Sequence, residues 1–154
     1  MDFENPWNIN TGHSKRENIA LKQYFTENKG LMFTEFNTTQ SMKGKKRALD
    51  AILFPDLEQG MYKSTGNYSK IRELIKENAV ELIEVHKWGF YVFGQLVGKE
   101  KLVKKHWNPK ETQKTLVTLD PSRYHPEKNP DPPTREIFDE SNIEIFVPES
   151  KNFN

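Results

Sequence analysis

The sequence predicts an α/β domain, a central mixed β-sheet of four or five strands flanked by helices. Two patterns carry that expectation. Short apolar runs of strand length alternate with stretches whose apolar residues recur every three to four positions. The resulting order is helix, strands, helix, strand, helix, strand, short helix, strand, and that alternation lays helices on a sheet. With 154 residues and only 34% apolar content, the chain can bury one thin core, so 1–154 reads as a single domain.

Residues 1–12 (MDFENPWNINTG) form an irregular lead-in. Ser14, with Glu17 three residues on, completes a capping box for a helix running to about Glu27, with Ile19, Leu21, Tyr24 and Phe25 inward. Asn28-Lys29-Gly30 ends it, and Leu31 to Phe36 is a short strand. A basic loop, Lys43-Gly44-Lys45-Lys46-Arg47, leads into Ala48 to Asp56, a β-type apolar run with an acid in its middle. Asn67 or Ser69 caps a helix over Lys70–Asn78, and Val80 to Lys87 is the next strand. Tyr91 to His106 fits a helix with Phe93, Leu96, Val97, Val103 and Trp107 on its inner sector. Lys99, Lys101, Lys104 and Lys105 crowd its C-terminal end, where cations complement the helix dipole. Thr115 to Leu119 is a further strand, and residues 121–133, holding five of the nine prolines, are a long loop. Thr134 caps a short helix through Ser141, and Ile143 to Val147 is the last strand.

Composition removes several classes of function. The absence of cysteine excludes a disulfide framework, a thiolate zinc site and a cysteine nucleophile. No stretch approaches the roughly 20 apolar residues of a membrane span, and the N-terminus lacks the apolar core of a signal peptide. A soluble cytoplasmic chain without a membrane partner is expected. There is no glycine-rich phosphate loop, nucleophile elbow or zinc-binding HExxH helix, and His13, His106 and His125 form no spaced ligand pair. Charge is nearly balanced, 23 Lys+Arg against 22 Asp+Glu, but unevenly spread. Residues 1–48 carry 8 basic and 5 acidic groups, residues 108–154 carry 6 and 9. The basic bias of the first part permits a nucleic-acid surface without demanding one.

The sharpest chemical feature is an acid inside each of two apolar strands. Asp50 sits among Leu49, Ala51, Ile52 and Leu53, and Glu84 among Leu82, Ile83 and Val85. A carboxylate placed there costs several kcal/mol unless paired or metal-bound. Strand alternation sends Glu84 and His86 to one face and Lys87 to the other. If the two strands are neighbours, Asp50, Glu84 and His86 converge at one end of the sheet, a setting for Mg²⁺ or, with a histidine added, Mn²⁺. The plainer reading has both acids on solvent-facing edges, with Glu84 paired to Lys87 or Lys101. Trp107 reads as core. The aromatic turn Trp88-Gly89-Phe90-Tyr91 reads as packing of the following helix on the sheet, although in an open cleft it could touch a base.

The order RALDAILFPD, a gap, VELIEVHKW, then a helix beginning YVFGQLVGKEKL resembles the restriction-endonuclease-like, or PD-(D/E)xK, nuclease superfamily. The resemblance covers roughly residues 14–147 and rests on short motifs in their order. It implies a leading helix bearing an acid, here Glu17, a strand with Asp, here Asp50, a strand with Glu-x-Lys, here Glu84, and a helix with Gln, here Gln95. It implies Asp50 and Glu84 as metal ligands. Glu17 would hold a second metal or orient water, and Gln95 would position a site group or the backbone. One departure stands out: the position two after the Glu is His86 rather than Lys, with Lys87 displaced by one. His86 could act as general base or join the metal, a β-bulge could bring Lys87 into place, or the site is inactive and only the fold remains.

The function these features predict is a divalent-metal-dependent nuclease, with Mg²⁺ or Mn²⁺ as cofactor. It would hydrolyse phosphodiester bonds in nucleic acid, DNA before RNA, by in-line attack of water. Lys43, Lys45, Lys46, Arg47 and Lys99 would meet the phosphate backbone. The alternative is an inactive module of the same fold that binds nucleic acid or a protein partner. A homodimer, or a place in a larger complex, is expected on economy, with Phe90–Phe93 and Ile143–Val147 as surfaces that core packing explains equally well.

Overall fold

The structure, a computed structural model, describes residues 15–39, 48–119 and 125–149. In chain order these form α1 (Lys15–Asn28), β1 (Leu31–Asn37), β2 (Ala48–Phe54), β3 (Gly60–Lys63), α2 (Tyr68–Glu77), β4 (Ala79–His86), α3 (Phe90–Trp107), β5 (Glu111–Thr118), α4 (Pro132–Glu140) and β6 (Ile143–Phe146). The strands make one mixed sheet in the order β3-β1-β2-β4-β5-β6. β2 runs antiparallel to both β1 and β4, while β1–β3, β4–β5 and β5–β6 are parallel. The α/β class is as expected, but the sheet has six strands rather than four or five. The added strand is β3, Gly-Met-Tyr-Lys, whose four residues carry too little pattern to read alone. Its strand character comes from pairing along β1 at the sheet edge.

Two apolar layers sandwich the sheet. Ala20, Leu21, Tyr24 and Phe25 of α1 pack on one face against Met32, Leu53, Ile83, Val85 and Val117. On the other face Ile71 and Ile75 of α2 and Val103 and Trp107 of α3 cover Phe33, Phe36, Ile52 and Leu82. Farther along, Val92 and Leu96 of α3 meet Leu116 and Phe138 of α4. Trp107 is core as expected, with its ring 4.8 Å from Phe36 and the Arg72 guanidinium 4.7 Å over it. No helix among the described residues is long and apolar enough to cross a membrane.

Local chemistry explains the boundaries that differ from expectation. α4 starts at Pro132 because Asp131, not Thr134, is its cap. The Asp131 carboxylate accepts the Thr134 backbone N–H at 3.4 Å and the Thr134 hydroxyl at 2.6 Å. Pro132 and Pro133 cost nothing in a first turn, whose N–H groups have no helical partner. β5 begins at Glu111 rather than Thr115 because its polar first half is paired along β4 from Ala79 onward. Between α1 and β1 the chain reverses at Gly30 (φ 116°), where a Cβ would stand 2.7 Å from the Phe54 carbonyl oxygen.

The centre of the sheet is distorted. Phe33 and Phe36, three residues apart, face the same core, and so do Leu49 and Ile52. A regular strand sends residues three apart to opposite faces. The irregularity lies between the pairs Thr34↔Ala51 and Phe36↔Leu49. There Glu35 adopts the left-handed backbone conformation (φ 52°) opposite Asp50. The Tyr68 hydroxyl braces this point, accepting the Asn37 N–H at 3.1 Å and donating to the Glu35 carbonyl at 3.4 Å. Tyr68→Phe is expected to cost about 1–2 kcal/mol, since it strips a partner from part-buried backbone groups. Glu35→Gly, which relieves the left-handed strain, is expected to cost little or to stabilise. Urea unfolding of the two variants checks the contrast.

Candidate active site

The site grows out of that central distortion. β2 and β4 pair over only three residues, Ala51↔Ile83, Ile52↔Leu82 and Leu53↔Glu81, and then part. Past the last pair the Val85 N–H has no strand carbonyl opposite it. It donates instead to the Asp50 side chain, at 2.7 Å to Oδ2. The Asp50 carboxylate therefore lies in the gap between the strands, beside Glu84.

Glu84 points to the face covered by α3 and is only 4% exposed. Lys99, two turns into α3, reaches down to it. Its Nζ donates to Glu84 Oε1 at 2.8 Å and to the Ala48 carbonyl at 2.8 Å. Burial pushes the Glu84 carboxyl well above the usual carboxylate range. The charge of Asp50 and a hydrogen bond with it push the same way, and Lys99 opposes them without cancelling them. One lysine facing two carboxylates leaves the ionised trio with net negative charge, and a buried site of that kind favours a proton or a cation.

α3 is held in this register by its next residue. Glu100 Oε1 accepts from Lys114 at 2.9 Å and Oε2 from Thr112 at 2.9 Å, both on β5. Burial raises the Glu100 proton affinity, but these hydrogen bonds and the charges of Lys114 and Lys104 outweigh it, so its carboxyl falls below the ordinary value. Lys99 and Glu100 thus fasten one helix to two adjacent strands.

The structure brings Asp50, Glu84 and Lys99 together. His86, at the end of β4, turns its ring against Tyr91 with centroids 5.5 Å apart, and its Nδ1 lies 3.1 Å from the Lys87 carbonyl. Lys87 lies just past the strand and is exposed. Neither Lys87 nor Lys101, the expected partners, is the cation on Glu84. Lys101 is two residues beyond Lys99, about 200° around the helix, and faces solvent. Gln95 sits one turn before Lys99 with its side-chain Oε1 buried and accepting no hydrogen bond. Glu17 occupies the first turn of α1, on the opposite face of the sheet from Lys99. Lys43, Lys45, Lys46 and Arg47 lie outside the described residues, as does Ser14.

The role of Lys99 was missed by residue order and was legible in helical spacing. Tyr91, Gln95 and Lys99 are four apart and share one stripe, so a Gln facing the site places Lys99 there too. The aromatic turn divides. Trp88 is buried, donating its indole N–H to the Asn129 carbonyl at 3.0 Å and packing on Phe138. Phe90 and Tyr91 are not buried between helix and sheet as expected: they are 66% and 69% exposed, and Tyr91 touches the sheet through the His86 ring at the end of β4.

Both candidate metal ligands are carboxylates, the hard oxygen donors that Mg²⁺ and Mn²⁺ take. Among the described residues no group of three or more His, Asp and Glu converges to form a cage. A pair of carboxylates suits a cation that keeps several waters and completes its shell with substrate phosphate oxygens, so the donor set fits. No protein-family model, no curated protein and no solved structure matches the chain.

Two expectations follow. Lys99→Met leaves a buried carboxylate without its cation and is expected to cost about 2–4 kcal/mol near pH 9. The loss shrinks toward pH 6 as Glu84 takes up a proton, and adding Glu84→Gln recovers most of it. Chemical unfolding of both variants across that range reads it out. Glu81, on the α1 face of β4 and 7% exposed, is a separate buried acid. Burial pushes its carboxyl up to about 7 from 4.5; a hydrogen bond with Thr115 works against this and the charge of Glu144 with it. The folded state holds this proton more tightly than the unfolded chain does. The resulting stabilisation is complete below about pH 4.5 and is lost as pH rises through about 7. Glu81→Gln is therefore expected to gain on the order of 2 kcal/mol relative to the parent at pH 8, and little at pH 4, measured by thermal melting at both values.

Proposed function

We propose that this chain is a divalent-metal-dependent nuclease of the restriction-endonuclease-like kind, with Asp50, Glu84 and Lys99 as its reaction centre. The observation that carries the reading is the trio itself: two carboxylates on adjacent strands and a lysine on the following helix, Nζ 2.8 Å from one of them. The element order supports it as well. A leading helix, a strand with Asp50, a strand with Glu84, a helix with Gln95 and a further strand follow one another as the sequence resemblance implies, and the two acidic strands are neighbours.

The chemistry is hydrolysis of a phosphodiester: a water oxygen bonds to phosphorus, the bond to the leaving oxygen breaks, and that oxygen takes a proton. Asp50 and Glu84 would hold Mg²⁺ or Mn²⁺, which when bound supplies Lewis-acid stabilisation of the charge on the phosphate. Asp50 is positioned by the Val85 N–H. Lys99 uses two of its three N–H donors on Glu84 and Ala48, which leaves the third for a phosphate oxygen or the attacking water. It thereby takes the part that the motif lysine plays in the resemblance, and His86 need not substitute for that lysine. His86, on the same face of β4 as Glu84, remains available as a proton acceptor. The basic run 43–47 immediately precedes Ala48 in the chain and would supply phosphate contacts.

The test is cleavage of single- and double-stranded DNA and RNA with Mg²⁺ or Mn²⁺. Wild type is expected to cut. Asp50→Asn and Glu84→Gln are expected to lose about a hundredfold or more, and Lys99→Met a similar factor, with circular dichroism showing each still folded. Absence of cleavage with either metal, together with no heat of metal binding in calorimetry, would overturn the reading in favour of a non-catalytic module.

A further inference from the structure

The most exposed large apolar side chains among the described residues, Phe90 and Tyr91, stand at the start of the helix that supplies Lys99. Each is held from beneath by another ring. Phe90 stacks on Phe93 at 6.2 Å, and Phe93 lies 5.8 Å from buried Phe138. Tyr91 lies 5.5 Å from His86, two residues along β4 from Glu84. The rings are thus braced on one side and open on the other. Beside them is a cavity of about 450 Å³ lined by Phe90, Tyr91, Gly94 and Gln95. Gly94 contributes no side chain, and a Cβ there would meet nothing within 4 Å. Gln95 adds the buried Oε1 that accepts no hydrogen bond. An aromatic pair with an open flat face suits a planar group that can stack on it.

Helical spacing extends the feature in two directions. Tyr91, Gln95 and Lys99 run toward the acidic pair, with Tyr91 and Lys99 eight residues or roughly 12 Å apart along the axis. Phe90, Gly94, Lys101 and Lys105 share the outward sector, and both lysines are exposed. Aromatic faces with exposed cations on the same helix complement a strand of alternating bases and phosphates rather than an apolar protein face.

We infer that Phe90 and Tyr91, with Gln95, form a stacking site for an unpaired nucleobase. The substrate would then be single-stranded nucleic acid, or a strand end with unpaired bases, whose base lies on the rings at the start of α3. This specificity rests on the nuclease reading above. Bases inside a duplex are already stacked on both faces, so only an unpaired base can use the rings.

Binding is read in EDTA, where no cleavage occurs, by fluorescence anisotropy of a labelled ten-nucleotide single strand and a blunt hairpin duplex. The single strand is expected to bind more tightly. Phe90→Ala and Tyr91→Ala each weaken it by about tenfold or more, with little change for the duplex. Gly94→Leu fills the cavity and does the same, while its melting temperature is not lowered, because a helix interior favours Leu over Gly. Equal binding of strand and duplex, or single-strand binding that all three variants leave intact, would overturn the inference. So would sedimentation showing a dimer that Phe90→Ala and Tyr91→Ala dissociate, which would make the face an interface between copies. The two failures are distinguishable. If wild type binds the strand through these rings yet cuts nothing with Mg²⁺ or Mn²⁺, the nuclease reading fails alone. If it cuts both substrates and the ring variants leave their cleavage ratio unchanged, the stacking site fails alone.

Discussion

A single hydrogen bond, from the Val85 N–H to the Asp50 carboxylate at 2.7 Å, closes the gap that opens where β2 and β4 part. The ladder between these central strands lasts three residues, against eight between β4 and β5. A side chain takes the place of the missing carbonyl, and in doing so it is held within the sheet rather than above or below it. The left-handed Glu35 opposite Asp50, braced by Tyr68, is the backbone distortion that lets β1 and β2 follow this turn. The acidic pair is the consequence. Asp50 in the gap and Glu84 on the neighbouring strand stand side by side, and the charge of Asp50 raises the cost of ionising Glu84.

That cost explains why α3 sits where it does. A buried carboxylate without a cation is expensive, and Lys99 is the cation that the helix delivers. Its neighbour Glu100 accepts from Thr112 and Lys114, so the same turn grips β4 through a positive charge and β5 through a negative one. Around these polar contacts the helix divides by sector. Val92, Leu96, Val103 and Trp107 enter the core, Lys99 reaches Glu84 and the Ala48 carbonyl, and Phe90, Tyr91 and Gly94 are left outside. An apolar ring in water is unfavourable, and the proposed stacking of a base would relieve that exposure at Phe90 and Tyr91.

The site is economical. Two acids and a lysine come from three elements, and the same helix that carries the lysine carries the rings. The proposed nuclease reading needs charge to stabilise a phosphate and a means of holding the strand that contains it, and α3 with the open end of β4 would supply both.

By itself the sequence determined the class of fold, because apolar periodicity is a local property: α1, α2, β4 and α3 lie within two or three residues of where their patterns place them. It also singled out Asp50 and Glu84, since an acid in an apolar run is costly wherever the run packs. Tertiary structure decided the rest. β3 is a strand only because β1 offers an edge, and the polar start of β5 is a strand only because β4 and Glu100 supply its partners. Which lysine answers Glu84 turned on the rotation of α3 over the sheet, which favours Lys99 over Lys87 and Lys101. Whether an aromatic is buried or displayed turned on what packs around it. Trp88 found Phe138 and the Asn129 carbonyl, while Phe90 and Tyr91 kept one face in water. Such choices depend on contacts between residues far apart in the chain, and local pattern carries no record of them.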